Sequence, residues 1–220
     1  MKVLIVSATV LEIKPLLANC NQIDTDLFEF KCSDEFSIDV FVTGVGLVAM
    51  AARLAKRLEE VKYVFVLNCG IAGSFDRQIP LTKLFKVNQD TIADLGVEMG
   101  QKFISISQLG LAKDSDISIL RQSGGYNHLF DSLPVANAVS KNTGSGKVST
   151  ISFLQRQYKV QLESMEGAAF HFVCRQKGIP FCQIRAVSNY VGERDKGKWD
   201  IKGSVTVLND FLLKSFIEKL

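Results

Sequence analysis

The chain is poor in the residues that most often do chemistry on their own. It has two histidines, His128 and His171, in 220 residues. Neither has a metal-ligand partner at helical or turn spacing. Its five cysteines, Cys20, Cys32, Cys69, Cys174 and Cys182, include no CxxC pair and no zinc spacing. An odd count in a chain this rich in apolar residues argues against a disulfide framework. Buried free thiols in a reducing, cytoplasmic setting are expected instead. The four prolines are scattered, and no Ser/Gly-rich linker, repeat or low-complexity tract divides the chain. One domain over residues 1–220 is therefore expected. No apolar run reaches the ~20 residues of a membrane helix. A strand passing into a helix explains residues 2–20 better than a lipoprotein leader, because Glu12 and Lys14 interrupt the apolar run. A charge excess of one sign is also lacking: 26 basic and 23 acidic residues leave +3. That balance predicts no nucleic-acid partner.

What the chain does have is core-forming sequence, at 47% hydrophobic residues. Residues 3–8 form a continuous apolar run, as in a strand buried on both faces. Thr9 and Glu12 have capping-box spacing at the start of a helix. Residues 27–32 and 38–43 read as paired strands, and 44–60 as a turn and helix. Residues 64–68 read as a buried strand ended by a turn over 69–73. Short strands are predicted at 83–87 and 102–106, with an irregular polar stretch at 108–133. Residues 135–140 and 147–152 alternate like strands around a turn at 143–146. A strand at 160–164 runs into a helix at 166–177, a buried strand follows at 181–187, and a helix covers 204–219. Strands alternating with helices at both ends, with hairpins between, predict an α/β single-domain three-layer α/β/α sandwich with a mixed central sheet.

Several constellations carry chemistry. Gly44-Val45-Gly46-Leu47-Val48-Ala49 matches a GxGxxA dinucleotide pattern between a strand and a helix. It is not on the first strand, and the next strand ends in Asn68 where a ribose-binding acid is expected. Tight packing, or backbone N–H groups facing an anion or sugar, are the other readings. Asn68 to Ser74 stands at a strand's carboxyl end, where open α/β sheets bind ligands. There Gly70 and Ala72 either make a sharp turn or let a ligand approach the backbone. Glu12 and Glu166, taken singly, are helix-terminus carboxylates, each contributing about 0.3–1 kcal/mol. Together with Asn189, at the end of a third strand, they suggest two carboxylates and an amide around one small ligand. Phe153 is either core or a purine-stacking surface.

These residues resemble the nucleoside phosphorylase and nucleosidase superfamily. Glu12, Met165-Glu166-Gly167-Ala168-Ala169 and Arg185-Ala186-Val187-Ser188 are similar to methylthioadenosine/S-adenosylhomocysteine nucleosidases. The run Ser188-Asn189-Tyr190-Val191-Gly192-Glu193-Arg194-Asp195, with Trp199, is similar to futalosine hydrolases of menaquinone biosynthesis. The resemblance implies a hydrolase acting on the N-glycosyl bond of a small-molecule purine nucleoside, with no cofactor and no metal. Glu12 matches the base that orients the attacking water. Met165 and Glu166 match the ribose-binding pair, and Phe153 falls where the purine stacks. Asn189 replaces the aspartic acid that protonates adenine. A neutral amide donating to O6 and N7 favours a 6-oxopurine, so futalosine, with hypoxanthine as the released base, is the expected substrate. Asp195 remains a second candidate proton donor. Arg194, Lys196 and Arg121 are candidate partners for the carboxylate on futalosine's 5′ side. A homo-oligomer that closes the site through residues 108–132 is implied as well. Methylthioadenosine hydrolysis, a non-catalytic nucleoside-binding protein and a nicotinamide oxidoreductase are the alternatives.

Overall fold

A computed structural model of the chain describes residues 1–100, 102–120 and 124–219. In chain order its elements are β1 (Lys2–Ser7), α1 (Val10–Leu17), β2 (Asn21–Asp24), β3 (Leu27–Lys31), β4 (Ser37–Val42) and α2 (Leu47–Glu60). Then come β5 (Phe65–Ser74), β6 (Leu84–Ile92), β7 (Gly96–Met99), β8 (Lys102–Ser105), α3 (Asp114–Ile117) and β9 (Ser118–Leu120). The chain finishes with β10 (Val135–Ser140), α4 (Val148–Tyr158), β11 (Leu162–Ser164), α5 (Gly167–Lys177), β12 (Phe181–Tyr190) and α6 (Ile201–Phe211).

The period-2 alternation of β1 builds the layers. Val3 and Ile5 face one side, where Ile13 and Leu16 of α1 and Leu208 of α6 pack on them. Leu4 and Val6 face the other, against Met50 and Leu54 of α2 and Phe170 and Val173 of α5. Helices thus cover both faces of a mixed sheet ordered β11-β10-β6-β12-β5-β1-β4-β3-β2, as the α/β/α prediction requires.

β5 belongs to two structures. Its first half pairs with β1, Val3 beside Phe65 and Val6 beside Asn68. Its last residues pair with β11, Ser74 with Leu162 and Gly73 with Glu163. The sheet therefore curls into a closed ring of β5, β12, β6, β10 and β11. All five strands contribute to one apolar cluster, which contains Ala72, Val187, Val87, Ala138 and Leu162.

Three expectations change. The turn expected at residues 69–73 is continuous strand, because β12 pairs alongside β5 as far as Ser74. Residues 147–152 are not a strand: α4 begins at Val148. Its β-branched residues suggested alternation, but Ile151, Leu154 and Tyr158 lie at helical spacing on one apolar cluster with Val191. The last helix begins at Ile201 rather than 204, with the Asp200 side chain accepting the Gly203 N–H at 2.8 Å.

Candidate active site

The carboxyl ends of β1, β5, β11 and β12 meet at a cleft of about 340 Å³. Its lining includes Glu12, Ala72, Glu163, Met165, Glu166 and Asn189. Ligands of open α/β sheets bind at such strand ends. A second cavity, about 360 Å³, opens near Met1 and Phe36 at the amino end of β1 and contains none of these residues.

Glu12 is held by both of its oxygens. Oε2 accepts from the Thr9 backbone N–H at 3.0 Å, from Thr9 Oγ1 at 2.9 Å and from Ser7 Oγ at 3.3 Å. Oε1 accepts from the Ile71 backbone N–H at 3.0 Å. The capping box expected from Thr9 is present, and it aims the carboxylate into the cleft as well as capping α1. Gly70 explains how β5 tolerates this neighbour. A Cβ there would stand 2.6 Å from Glu12 Oε1 and 2.3 Å from Arg185 Nη1. Gly70 is therefore needed for room between side chains. It does not line the cleft, whereas Ala72 does.

Arg185 is the functional candidate to which sequence reading gave no role. It is fully buried on β12. Its Nε, Nη1 and Nη2 have no hydrogen-bond partner among the described residues. Burying an ionised group costs several kcal/mol unless charges compensate it. Glu12 approaches the same point above Gly70, and Arg185 lowers the Glu166 and Asp90 carboxyls electrostatically.

Glu166 is the N-cap residue of α5. Its Oε1 accepts the Gly46 backbone N–H at 3.0 Å. The Leu47 N–H goes to Asn142 Oδ1 at 3.0 Å. The glycine-rich loop therefore spends these donors on side chains of its own chain, which removes the dinucleotide reading. Burial raises the Glu166 carboxyl above the ordinary glutamate value, with Arg185 and the Gly46 N–H opposing that rise and Glu12 adding to it. A carboxylate that accepts hydrogen bonds from a ligand acts best ionised, so ligand binding in this cleft should weaken on acidification, at a pH above the usual glutamate range, and affinity measured against pH checks this.

A buried network fixes the residues beside Glu166. Ser140 Oγ bonds Asp90 Oδ1 at 2.8 Å and Ser164 Oγ at 2.9 Å, and accepts the Ala168 N–H at 3.0 Å. Gln183 Nε2 donates to Asp90 Oδ2 at 3.1 Å. Burial pushes the Asp90 carboxyl up to about 6. Gly167 is required here, since a Cβ would lie 2.0 Å from Asp90 Oδ2.

Asn189 reaches the cleft after an irregularity. The β12–β5 register skips between Val187 and Asn189, leaving Ser188 as an extra residue. Such bulges re-aim side chains beside active sites. Ser188 Oγ donates to Asn189 Oδ1 at 2.9 Å, which orients the carboxamide. Its NH₂ end donates to the Tyr190 carbonyl at 3.2 Å.

Besides Gly70, two candidates fall outside the lining. Phe153 is inside α4, edge-on to Phe103 at 5.8 Å and Tyr158 at 6.2 Å, and does not line the cleft. The mistaken strand at 147–152 had put it at a strand end. Asp195 is exposed and caps the short turn Lys196–Lys198, accepting the Gly197 N–H at 3.0 Å. It too is outside the lining. Of the candidate cations, Arg194 lines the cleft and Lys196 does not, while Arg121 lies outside the described residues. Arg194 Nη2 donates to the Gly144 carbonyl at 2.7 Å, and Trp199 completes that wall. Among the described residues, no three His, Cys, Asp or Glu side chains gather as metal ligands, and no helix is long and apolar enough to cross a membrane.

Known proteins share this fold and parts of this sequence. The phosphorylase superfamily profile matches residues 145–215. The chain is 28% identical over 190 residues to a futalosine hydrolase of Streptomyces coelicolor, covering 78% of this chain and 75% of that protein. It is 30% identical over 172 residues to a futalosine hydrolase of Acidothermus cellulolyticus, covering 76% of this chain and 70% of that protein. The fold matches that of a futalosine hydrolase mutant from Helicobacter pylori with a TM-score of 0.84, at 23% identity, over 100% of both chains. The chain therefore belongs to the phosphorylase superfamily and, within it, to the family of the futalosine hydrolases.

Proposed function

We propose that the chain hydrolyses the N-glycosidic bond of futalosine, releasing hypoxanthine and dehypoxanthine futalosine as a step of menaquinone biosynthesis. The observation that carries this reading is the convergence of Glu12 Oε1 and the unpartnered guanidinium of the buried Arg185 above Gly70, with Glu12 lining a cleft that also holds Glu166 and Asn189. A water between them donates to Glu12 and accepts from the guanidinium. It is thereby aimed at the sugar carbon that loses its base.

The ribose sits over Met165, with Glu166 accepting from its 2′ and 3′ hydroxyls. Bond breaking gives the sugar oxocarbenium character. The surrounding carboxylates favour that positive charge. Glu12 takes the proton of water as it adds. The departing purine needs donors at O6 and N7. The Asn189 carboxamide supplies one of them without ionising, its other N–H going to the Tyr190 carbonyl and its oxygen held by Ser188, and the purine leaves as an anion that takes its proton from solvent. Among the described residues Arg194 is the cation lining the cleft, and it serves as the partner for the substrate's carboxylate or for its base. Phosphate is a poor nucleophile here. One guanidinium faces Glu12 and Glu166 together, and a like charge at ~4 Å costs about 4 kcal/mol at intermediate dielectric.

Leu11 and Val45 line the cleft yet are 59% and 55% exposed. We assign their cover to a second copy in a cytoplasmic homo-oligomer. The test of the activity is base release from futalosine, inosine and methylthioadenosine. Futalosine should be preferred, with hypoxanthine appearing at a rate indifferent to phosphate. Preferential adenine release from methylthioadenosine would contradict the substrate assignment.

A further inference from the structure

α1 is short and flawed. It has eight residues, and Pro15 lies within it. Proline donates no backbone hydrogen bond, and its ring crowds the carbonyl four residues earlier, here that of Leu11. The helix that carries Glu12 thus lacks one of its own internal bonds one turn beyond that residue.

An amide from the far end of the chain lies against this turn. Asn209 of α6 is fully buried. Its Nδ2 donates to the Glu12 backbone carbonyl at 2.8 Å. Its Oδ1 accepts the Leu16 backbone N–H at 3.1 Å. The same Nδ2 donates to the Val205 carbonyl at 2.7 Å, which locks the side chain to its own helix. A carboxamide offers a donor and an acceptor side by side, matching a backbone C=O and N–H one helical turn apart. A leucine of similar size offers neither.

α6 is itself tied to the opposite side of the cleft. Ser204 Oγ donates to the Val187 carbonyl at 2.8 Å, and the Asp200 N–H donates to the Ser188 carbonyl at 2.8 Å. One helix is therefore bonded at its start beside Asn189 and further along to the backbone of Glu12.

We propose that Asn209 is a positioning residue for the hydrolysis: its carboxamide fixes the backbone of Glu12 and, through α6, the spacing between the water-activating carboxylate and the leaving-group amide. The proposal rests on Glu12 being the base. Asn209 touches neither water nor substrate and acts only through Glu12. Misplacing a catalytic group by about 1 Å can cost on the order of 10²-fold in rate. The N209L variant should therefore lose about 10–100-fold in kcat while KM stays within about twofold.

A structural role alone would also destabilise the protein, so the test needs a readout that stability does not move. L208A removes a buried side chain from the same helix without touching Glu12, and its kcat should stay within about twofold of wild type once folding is verified. In an E12Q background, N209L should cost less than about twofold, because the group it positions no longer acts. If N209L does not fold, N209D carries the test, since it keeps the size and the acceptor for the Leu16 N–H. It should show the same kcat loss at alkaline pH, where the carboxylate is ionised and opposes the Glu12 carbonyl, and a smaller loss at acid pH, where its O–H restores the donor. Equal kcat losses in L208A and N209L, or a full N209L loss persisting in the E12Q background, overturns the proposal. An active E12Q enzyme sinks the hydrolase mechanism as well, whereas an inactive E12Q with a neutral N209L sinks the positioning role alone.

Discussion

Changing Glu12 to Gln should lower kcat by about 10³-fold, within the 10²–10⁴ range of a positioned base, while KM changes little. The argument is geometric. In the proposed mechanism Glu12 takes no part in holding the ribose, which is assigned to Glu166 and Met165. Its two oxygens are fixed by N–H groups on both sides, Thr9 at Oε2 and Ile71 at Oε1. A glutamine fits the space, but whichever way its amide turns, the NH₂ end meets one of those donors. One hydrogen bond is lost, at about 1–3 kcal/mol for the group left unpaired. Relief of a buried negative charge offsets part of this. The variant should fold, bind nucleoside and fail to hydrolyse it. Steady-state kinetics beside direct binding of the intact substrate separates these effects. A protein that merely binds nucleosides would be indifferent to the change.

Replacing Arg185 with Met should have the largest effect on stability. The guanidinium is fully buried and lowers the carboxyls of Glu166 and Asp90. Methionine fills similar space but leaves those carboxylates, and Glu12, uncompensated. Removing one member of a buried charge cluster costs about 3–5 kcal/mol. The pH dependence has a definite sign. Without the cation, the folded-state carboxyls of Glu166 and Asp90 shift further upward while the unfolded values stay put. The deficit is then full at neutral pH, where the carboxylates must be ionised. It shrinks as pH falls and they protonate. Urea unfolding of both proteins at pH 8 and pH 5 checks this. A deficit that grew on acidification would contradict the assignment of Arg185 as their counter-charge.

Much of the architecture was legible because it depends on local pattern. The apolar run of β1, the Thr9–Glu12 box and the Gly178 end of α5 each announce themselves within a few residues. Glu12, Met165, Glu166, Ala72 and Asn189 all line one cleft, since each stands at a strand end or helix start where the fold gathers its ligand groups. What escaped depends on contacts between distant segments. β5 looked finished at Asn68, because glycines normally end strands. Only the presence of Arg185 and Glu12 across Gly70 shows why a glycine must stand mid-strand. Arg185 lies in an apolar strand, and its neighbours come from α1, β5, β6 and α5. Its place in an otherwise apolar run was the available signal. Phe153 was misplaced by β-branched residues that suggested a strand where tertiary contacts favour a helix. Asn209 gave no local sign of its role, since its partners in α1 are 193 and 197 residues away.

The central claim is that water, activated by Glu12 beside Arg185, attacks the sugar of a purine nucleoside. The most direct test is turnover of futalosine in oxygen-18 water, with and without phosphate, followed by mass spectrometry of both products. The account predicts one labelled oxygen on the sugar product, none on hypoxanthine, and identical rates in the two buffers. A sugar 1-phosphate without label, formed only when phosphate is present, would contradict it.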